Sequence, residues 1–234
     1  ESIGVFASYS ESFYRNEFYG QFGDPEQAGQ LIPPQRGDGI DVGVKFESAG
    51  GKWAGTLSFF DLSQTNIPVT LSDEAGNPVQ KLAGERTSTG VEADFHFAPG
   101  PGWQIKLNYA YTDAEDALTG EEFPNVPEHQ GSVWTRYEVL EGSWEGLFLG
   151  GGAVYMGDRP AGNDSNIFGQ GWNFTAESYV AVDLFLGKTF SIGEASELEV
   201  QLNVKNLTDE EYIRGGQTLP SEPRRYVVTV GYTF

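Results

Sequence analysis

In ELEVQLNVK, residues 197–205, large apolar side chains alternate with polar ones without a break. Successive side chains of an extended strand point to opposite faces. Leu198, Val200, Leu202 and Val204 therefore share one face, and Glu197, Glu199, Gln201, Asn203 and Lys205 share the other. WQIKLNYAYT repeats the pattern, with Trp103, Ile105, Leu107, Tyr109 and Tyr111 set against Gln104, Lys106, Asn108 and Thr112. DGIDVGVKFE sets Ile40, Val42, Val44 and Phe46 against Asp41, Lys45 and Glu47. A period-2 template predicts ten strands, near 2–11, 38–48, 52–62, 86–97, 103–113, 131–140, 146–156, 178–190, 197–207 and 224–234. The 31 glycines and the 14% of aromatics suit strands and turns better than helices. Alternation alone fits a soluble sandwich as well as a membrane barrel.

The connections separate the two. SAGG, APGPG, EGSW and SIGEA are short, glycine-bearing turns. Between them fall long segments, at 12–37, 63–85, 114–129, 157–177 and 208–223, well beyond the usual loop length of a compact domain. These five segments hold 18 acidic and 5 basic residues, so they carry −13 of the chain's net −20. One end of the sheet thus has tight turns and the other has long acidic loops. Strands of this length, apolar on one face and polar on the other, with that asymmetry, are the pattern of an antiparallel outer-membrane β-barrel. The acidic balance argues against a nucleic-acid partner, which requires basic surfaces. No apolar run is long enough for a membrane-spanning helix, and the absence of Cys removes disulfides and thiolate sites.

The last strand, RRYVVTVGYTF, alternates up to Phe234. A bare apolar edge invites unwanted pairing, so this edge is expected either to pair with another strand or to close a barrel. Counting ten strands from the front brings Phe234 to the short-turn, periplasmic end, where an interfacial aromatic belongs.

LNVKNLTDEEY (202–212), NVPEH (125–129), TSTGVEADF (87–95), LNYAYTDAE (107–115) and YVVTVGYTF resemble the C-terminal barrel of TonB-dependent outer-membrane receptors, and the ferric-siderophore receptors most of all. DGIDVGVKFESAGGKWAGTLSFFDLSQTNI (38–67) is similar to that family's hairpin leading into a long extracellular loop. The resemblance covers essentially the whole chain. It implies a barrel of 22 strands around a plug that carries the energy-coupling segment. Only about ten strands are visible here, with neither plug nor coupling segment and no signal peptide before the first strand, so the whole of 1–234 is expected to be the C-terminal part of such a barrel, a mature or truncated piece. The implied function is uptake of a ferric siderophore, energised through TonB by way of the absent plug. The implied surroundings are outer-membrane lipid and lipopolysaccharide, and the strand ending at Phe234 is similar to the signal read by the outer-membrane assembly machinery. A passive porin or structural barrel, or a receptor for another nutrient such as a cobalamin or a glycan, is the alternative.

Within that reading, ligand contacts belong to the long loops and adjoining strand ends, where aromatic faces and an occasional Arg suit a bulky chelate. The candidates are Phe13, Tyr14, Arg15 and Tyr19 in SFYRNEFY, Phe168, Trp172 and Phe174 in FGQGWNF, and Tyr212 and Arg214 in YIRGG. Arg159 in MGDRPAG is expected to anchor a strand end. His96, beside Glu92 and Asp94, superficially resembles a metal ligand, but a water-exposed polar face explains it without a metal. The acid-dense DAEDALTGEE misplaces its Gly for an EF-hand loop. No catalytic residues, resident metal or cofactor are expected. His129 and Ser132 are the single local base–nucleophile pair worth naming, and they make a weak case for an enzyme.

Overall fold

The computed structural model describes residues 1–16, 33–72, 78–163, 172–193, 196–214 and 219–234; side chains of 69–72, 78–81, 83, 162–163 and 172–173 are outside the description. Strands dominate, and no helix occurs among the described residues. They are β1 (Ser2–Tyr14), β2 (Gln35–Glu47), β3 (Trp53–Ser72), β4 (Pro78–Phe97), β5 (Trp103–Asp116), β6 (Glu121–Glu122), β7 (His129–Glu138) and β8 (Leu147–Met156). There follow β9 (Arg159–Asn163), β10 (Trp172–Ala176), β11 (Tyr179–Ser191), β12 (Glu197–Lys205), β13 (Ile213–Arg214), β14 (Leu219–Pro220) and β15 (Arg225–Thr233).

Ten of these form one antiparallel sheet in the order β1-β2-β3-β4-β5-β7-β8-β11-β12-β15, each long strand beside its neighbour in the chain. They match the ten expected from alternation. The sheet is open: β1 and β15 each pair on one side, and the expected closing partner of the last strand is not found within the described chain.

Register carries the alternation across the sheet. Leu186, Leu202 and Val228 stand in one row, and Val182, Ala153 and Val133 in another. Ile3, Phe46 and Gly55 lie on the same face at the far side. The opposite face carries Asp41, Glu92, Asp94, Lys106, Asn108, Arg136, Asp183, Gln201, Asn203 and Lys205. Only Ile67, Phe148, Ala161 and Ala176 are buried hydrophobic residues among those described, whereas 34 large apolar or aromatic side chains are exposed. A sheet in water would not leave so broad an apolar face uncovered; one whose outer face meets hydrocarbon needs no apolar core beneath it.

On the polar face, aromatic rings cover glycines of the adjacent strand. Phe6 covers Gly43, Phe60 covers Gly90, Trp134 covers Gly152 and Phe148 covers Gly187. A Cβ on Gly43 would stand 2.6 Å from the Phe6 ring, so the missing side chain is what lets the ring settle there. Phe148 is 1% exposed, with the Arg136 guanidinium 4.4 Å above its ring and Glu138 2.9 Å from that guanidinium.

The segment 63–85 departs from the expected loop. β3 and β4 continue pairing as far as Ser72 and Pro78, which makes a hairpin that overshoots the other strands. Asn66 adopts a left-handed backbone (φ 59°), and the register shifts between Gln64 and Ile67 and again at Pro68. Proline has no N–H for a regular ladder, and a bulge is where a strand tolerates it. Three of the other long segments also hold short ladders: β9 pairs with β10, β13 pairs with β14, and β6 folds back on β5. Asp116 Oδ1 accepts from the Leu118 and Thr119 amides, so the acid-dense stretch at 113–122 is built as a turn.

A candidate ligand surface at the long-loop end

The two clusters of candidate residues lie on different parts of the sheet. Tyr212 and Arg214 follow the turn that leaves β12. That turn is organised by Asn206, which is 6% exposed and left-handed (φ 50°). Its amide nitrogen donates to the Glu210 and Glu222 carbonyls at 2.9 and 3.0 Å, its side-chain oxygen accepts from the Glu210 N–H at 2.8 Å, and its backbone N–H donates to Asp183. Asparagine tolerates this backbone region and can saturate a turn with its own amide, which explains the residue type.

The turn places Tyr212 face to face with Tyr179, ring centroids 3.7 Å apart at 10°. Beneath them Arg159, 4% exposed, donates Nη2 to the Ile213 carbonyl at 2.7 Å and lies 6.0 Å from the Tyr179 ring. Arg159 thus ties β9 to β13, the strand-end anchor expected of it. Beside the stacked rings is a hollow of about 290 Å³ on the polar face. Its charged lining is Lys205, Arg214 and Arg225 against Asp183 and Glu222, one excess positive charge in a chain of net −20. Lys205 pairs with Asp183 at 2.7 Å, while Glu222 lies 3.0 Å from Arg225 and 3.5 Å from Arg214. Arg214 is the most loosely held of the three cations, with Nη1 alone engaged, to Glu222, among the described residues.

Seven strands away in sheet order, Tyr14 lines a second hollow of about 270 Å³ with Ser12, Gln35, Asp38 and Gln64. Its floor is a relay of amides: Gln64 donates to Gln35 at 2.7 Å, and Gln35 donates to buried Asn16 at 2.9 Å. Arg15 is exposed beside it. Phe13 belongs to the apolar row, opposite Arg36. Phe174 is half-buried on β10 opposite Ala161, and Trp172 pairs there with Asn163 through its backbone. Tyr19 and Phe168 lie outside the described residues. The structure therefore unites Tyr212 with Arg214 and keeps Tyr14 and Arg15 apart from them. Sequence reading missed Tyr179, Lys205, Glu222 and Arg225; the dense NLTDEEY turn was the available signal.

The remaining polar candidates have other roles. His129 opens β7 at the loop end, two residues before the expected strand start, with its Nδ1 2.8 Å from the Tyr109 hydroxyl. Ser132 accepts from Asn108, and being three residues on, it faces the other side of the sheet from His129, so the two cannot act together. His96 stands opposite Lys106, whose positive charge disfavours a cation there.

A ten-stranded antiparallel sheet with one lipid-compatible face, one polar face and long loops at a single end defines a segment of an outer-membrane β-barrel. The TonB dependent receptor-like β-barrel family model matches residues 1–207, and the chain belongs to that family. It is 32% identical to the metal-pseudopaline receptor of Pseudomonas aeruginosa over 97% of this chain and 31% of the relative. It is 29% identical to the ferrioxamine B receptor of Salmonella typhimurium (93% and 29%) and 30% identical to the ferrichrome outer membrane transporter/phage receptor of Escherichia coli K12 (90% and 27%). The ferric preacinetobactin receptor of Acinetobacter baumannii shares the fold, with a TM-score of 0.81 over 99% of this chain and 34% of that one at 22% identity. The chain thus spans about a third of the length of these relatives.

Proposed function

We propose that residues 1–234 form the C-terminal part of a receptor barrel that takes up a ferric siderophore across the outer membrane. The plug and remaining strands would come from the rest of the same receptor, and TonB would act through the plug. Enzymatic activity has no place in this reading, because the relatives are transport receptors. The observation that carries it is the cation-biased aromatic hollow of Tyr179, Tyr212 and Arg214 on the polar face at the long-loop end. An anionic, often aromatic chelate would pack against the Tyr179–Tyr212 ring pair and pair with Arg214, while Glu222 and Asp183 keep the cations extended. Tyr14 and Arg15 would add contacts from the far side of the sheet.

The test is uptake and surface binding of iron-loaded hydroxamate, catecholate and carboxylate siderophores by cells that carry the full-length receptor or lack it. Arg214→Gln should weaken binding of the transported chelate about tenfold or more, the worth of a charged hydrogen bond. A deletion that leaves growth on every ferric siderophore unchanged would refute the reading and turn the search to another nutrient. The similarity to the metal-pseudopaline receptor favours a second reading in which the chelated metal is not iron alone; repeating the uptake with other transition-metal chelates decides it.

A further inference from the structure

The apolar face is not uniform. Between β7, β8, β11 and β12 it is cut by a groove of about 680 Å³. The groove exists because small residues interrupt the apolar rows: Thr135 and Gly151 share a row with Leu184, whose side chain leans over Gly151, and Ala153 stands between Val133 and Val182. Toward the short-turn end its walls are Leu149 and Leu186, which are register partners. The next residue of that same face on β11 is Lys188, between Leu147 and Val200. A lysine in a lipid-facing row is costly at mid-bilayer and tolerated near an interface.

Lys188 has no ion pair or side-chain hydrogen bond among the described residues; its one recorded contact is the Phe190 ring, 5.4 Å away. Phe190 lies two residues further on, about 6.8 Å along the strand and roughly 5 Å along the membrane normal at the usual tilt. A lysine stem reaches that far, so its ammonium arrives at headgroup level of the short-turn leaflet. Exposed Trp144 and Ile192 in the adjoining turns mark that same level.

We propose that this groove and Lys188 together bind one anionic phospholipid of the periplasmic leaflet, an acyl chain lying over Ala153 and Thr135 and the phosphate meeting the Lys188 ammonium. The groove supplies the shape, and the lysine, which no described carboxylate neutralises, supplies the charge. Neither uses the loop-end hollow, so this site stands apart from siderophore recognition.

The test is native mass spectrometry of the full-length receptor titrated with phosphatidylglycerol and phosphatidylethanolamine of identical acyl chains. Phosphatidylglycerol should be retained roughly fivefold better, the worth of one lysine at an anionic surface. Lys188→Gln should erase that preference, Lys188→Arg should keep it, and polar-face Lys106→Gln should leave it unchanged. Ala153→Leu, which fills the groove, should lower retention of both lipids. Glycerol phosphate alone should not compete, because the acyl chain is part of the ligand. Equal retention of the two lipids, a preference that survives Lys188→Gln, or an equal loss from Lys106→Gln would overturn the proposal. Heat-modified gel mobility verifies that each variant is folded, and since no iron chelate enters the assay, its failure leaves the receptor reading untouched.

Discussion

Moving one arginine by one residue on β12 tests the assignment of the two faces. Leu202 stands in the apolar row between Leu186 and Val228, 41% exposed, with no carboxylate beside it on that face. Gln201, its neighbour in the chain, stands in the polar row between Gly187 and Thr229, and Glu199, Asn203 and Lys205 share its face. An arginine at 202 would place a guanidinium in hydrocarbon near mid-band, at a cost of about 2–4 kcal/mol. At 201 the same side chain would meet water and the Glu199 carboxylate; the loss there is the Gln201 donation to Asn203, 2.6 Å long, about 1 kcal/mol. The difference, about 1–3 kcal/mol, corresponds to roughly a fivefold to 150-fold change in the folding equilibrium. The assay is guanidinium-induced unfolding of the full-length receptor refolded into phospholipid vesicles, wild type beside Leu202→Arg and Gln201→Arg. Equal destabilisation of the two variants, or a larger loss at 201, would mean that the faces are assigned the wrong way round.

Two further variants probe packing and turn chemistry. Phe148→Ala should lower stability by about 3–5 kcal/mol, because the ring seals Gly187 and carries the Arg136 guanidinium; a midpoint shift matching a surface truncation would show that the ring is dispensable. Asn206→Ala should cost roughly 2–3 kcal/mol, since it strands the Glu210 N–H and two carbonyls and leaves an ordinary residue at positive φ. Asn206→Gly should cost less by relieving the backbone, and thermal melts that rank the two the other way would refute the account.

Every long strand, its two faces and its antiparallel neighbour could be read from residues such as 197–205, because the period-2 pattern is local and hairpin order follows the chain. So could the polarity of the sheet, since loop length and acidic charge are one-dimensional properties. The overshoot of β3 and β4 was not legible: Asn66 and Pro68 break the alternation, and only a bulge with its register shift lets the ladder resume beyond them. The candidate site was legible in half. Tyr212 and Arg214 announced themselves by type and place, but Tyr179 and Arg159 join them from other strands, Arg159 across 54 residues to Ile213. The rings that settle over Gly43, Gly90 and Gly187 likewise depend on which residue stands opposite which. By itself, then, the sequence determined the strands, their faces and the sidedness of the loops. Tertiary structure decided the meeting of side chains across strands, because a face is set by neighbours along the chain, whereas a contact is set by the register between segments far apart in it.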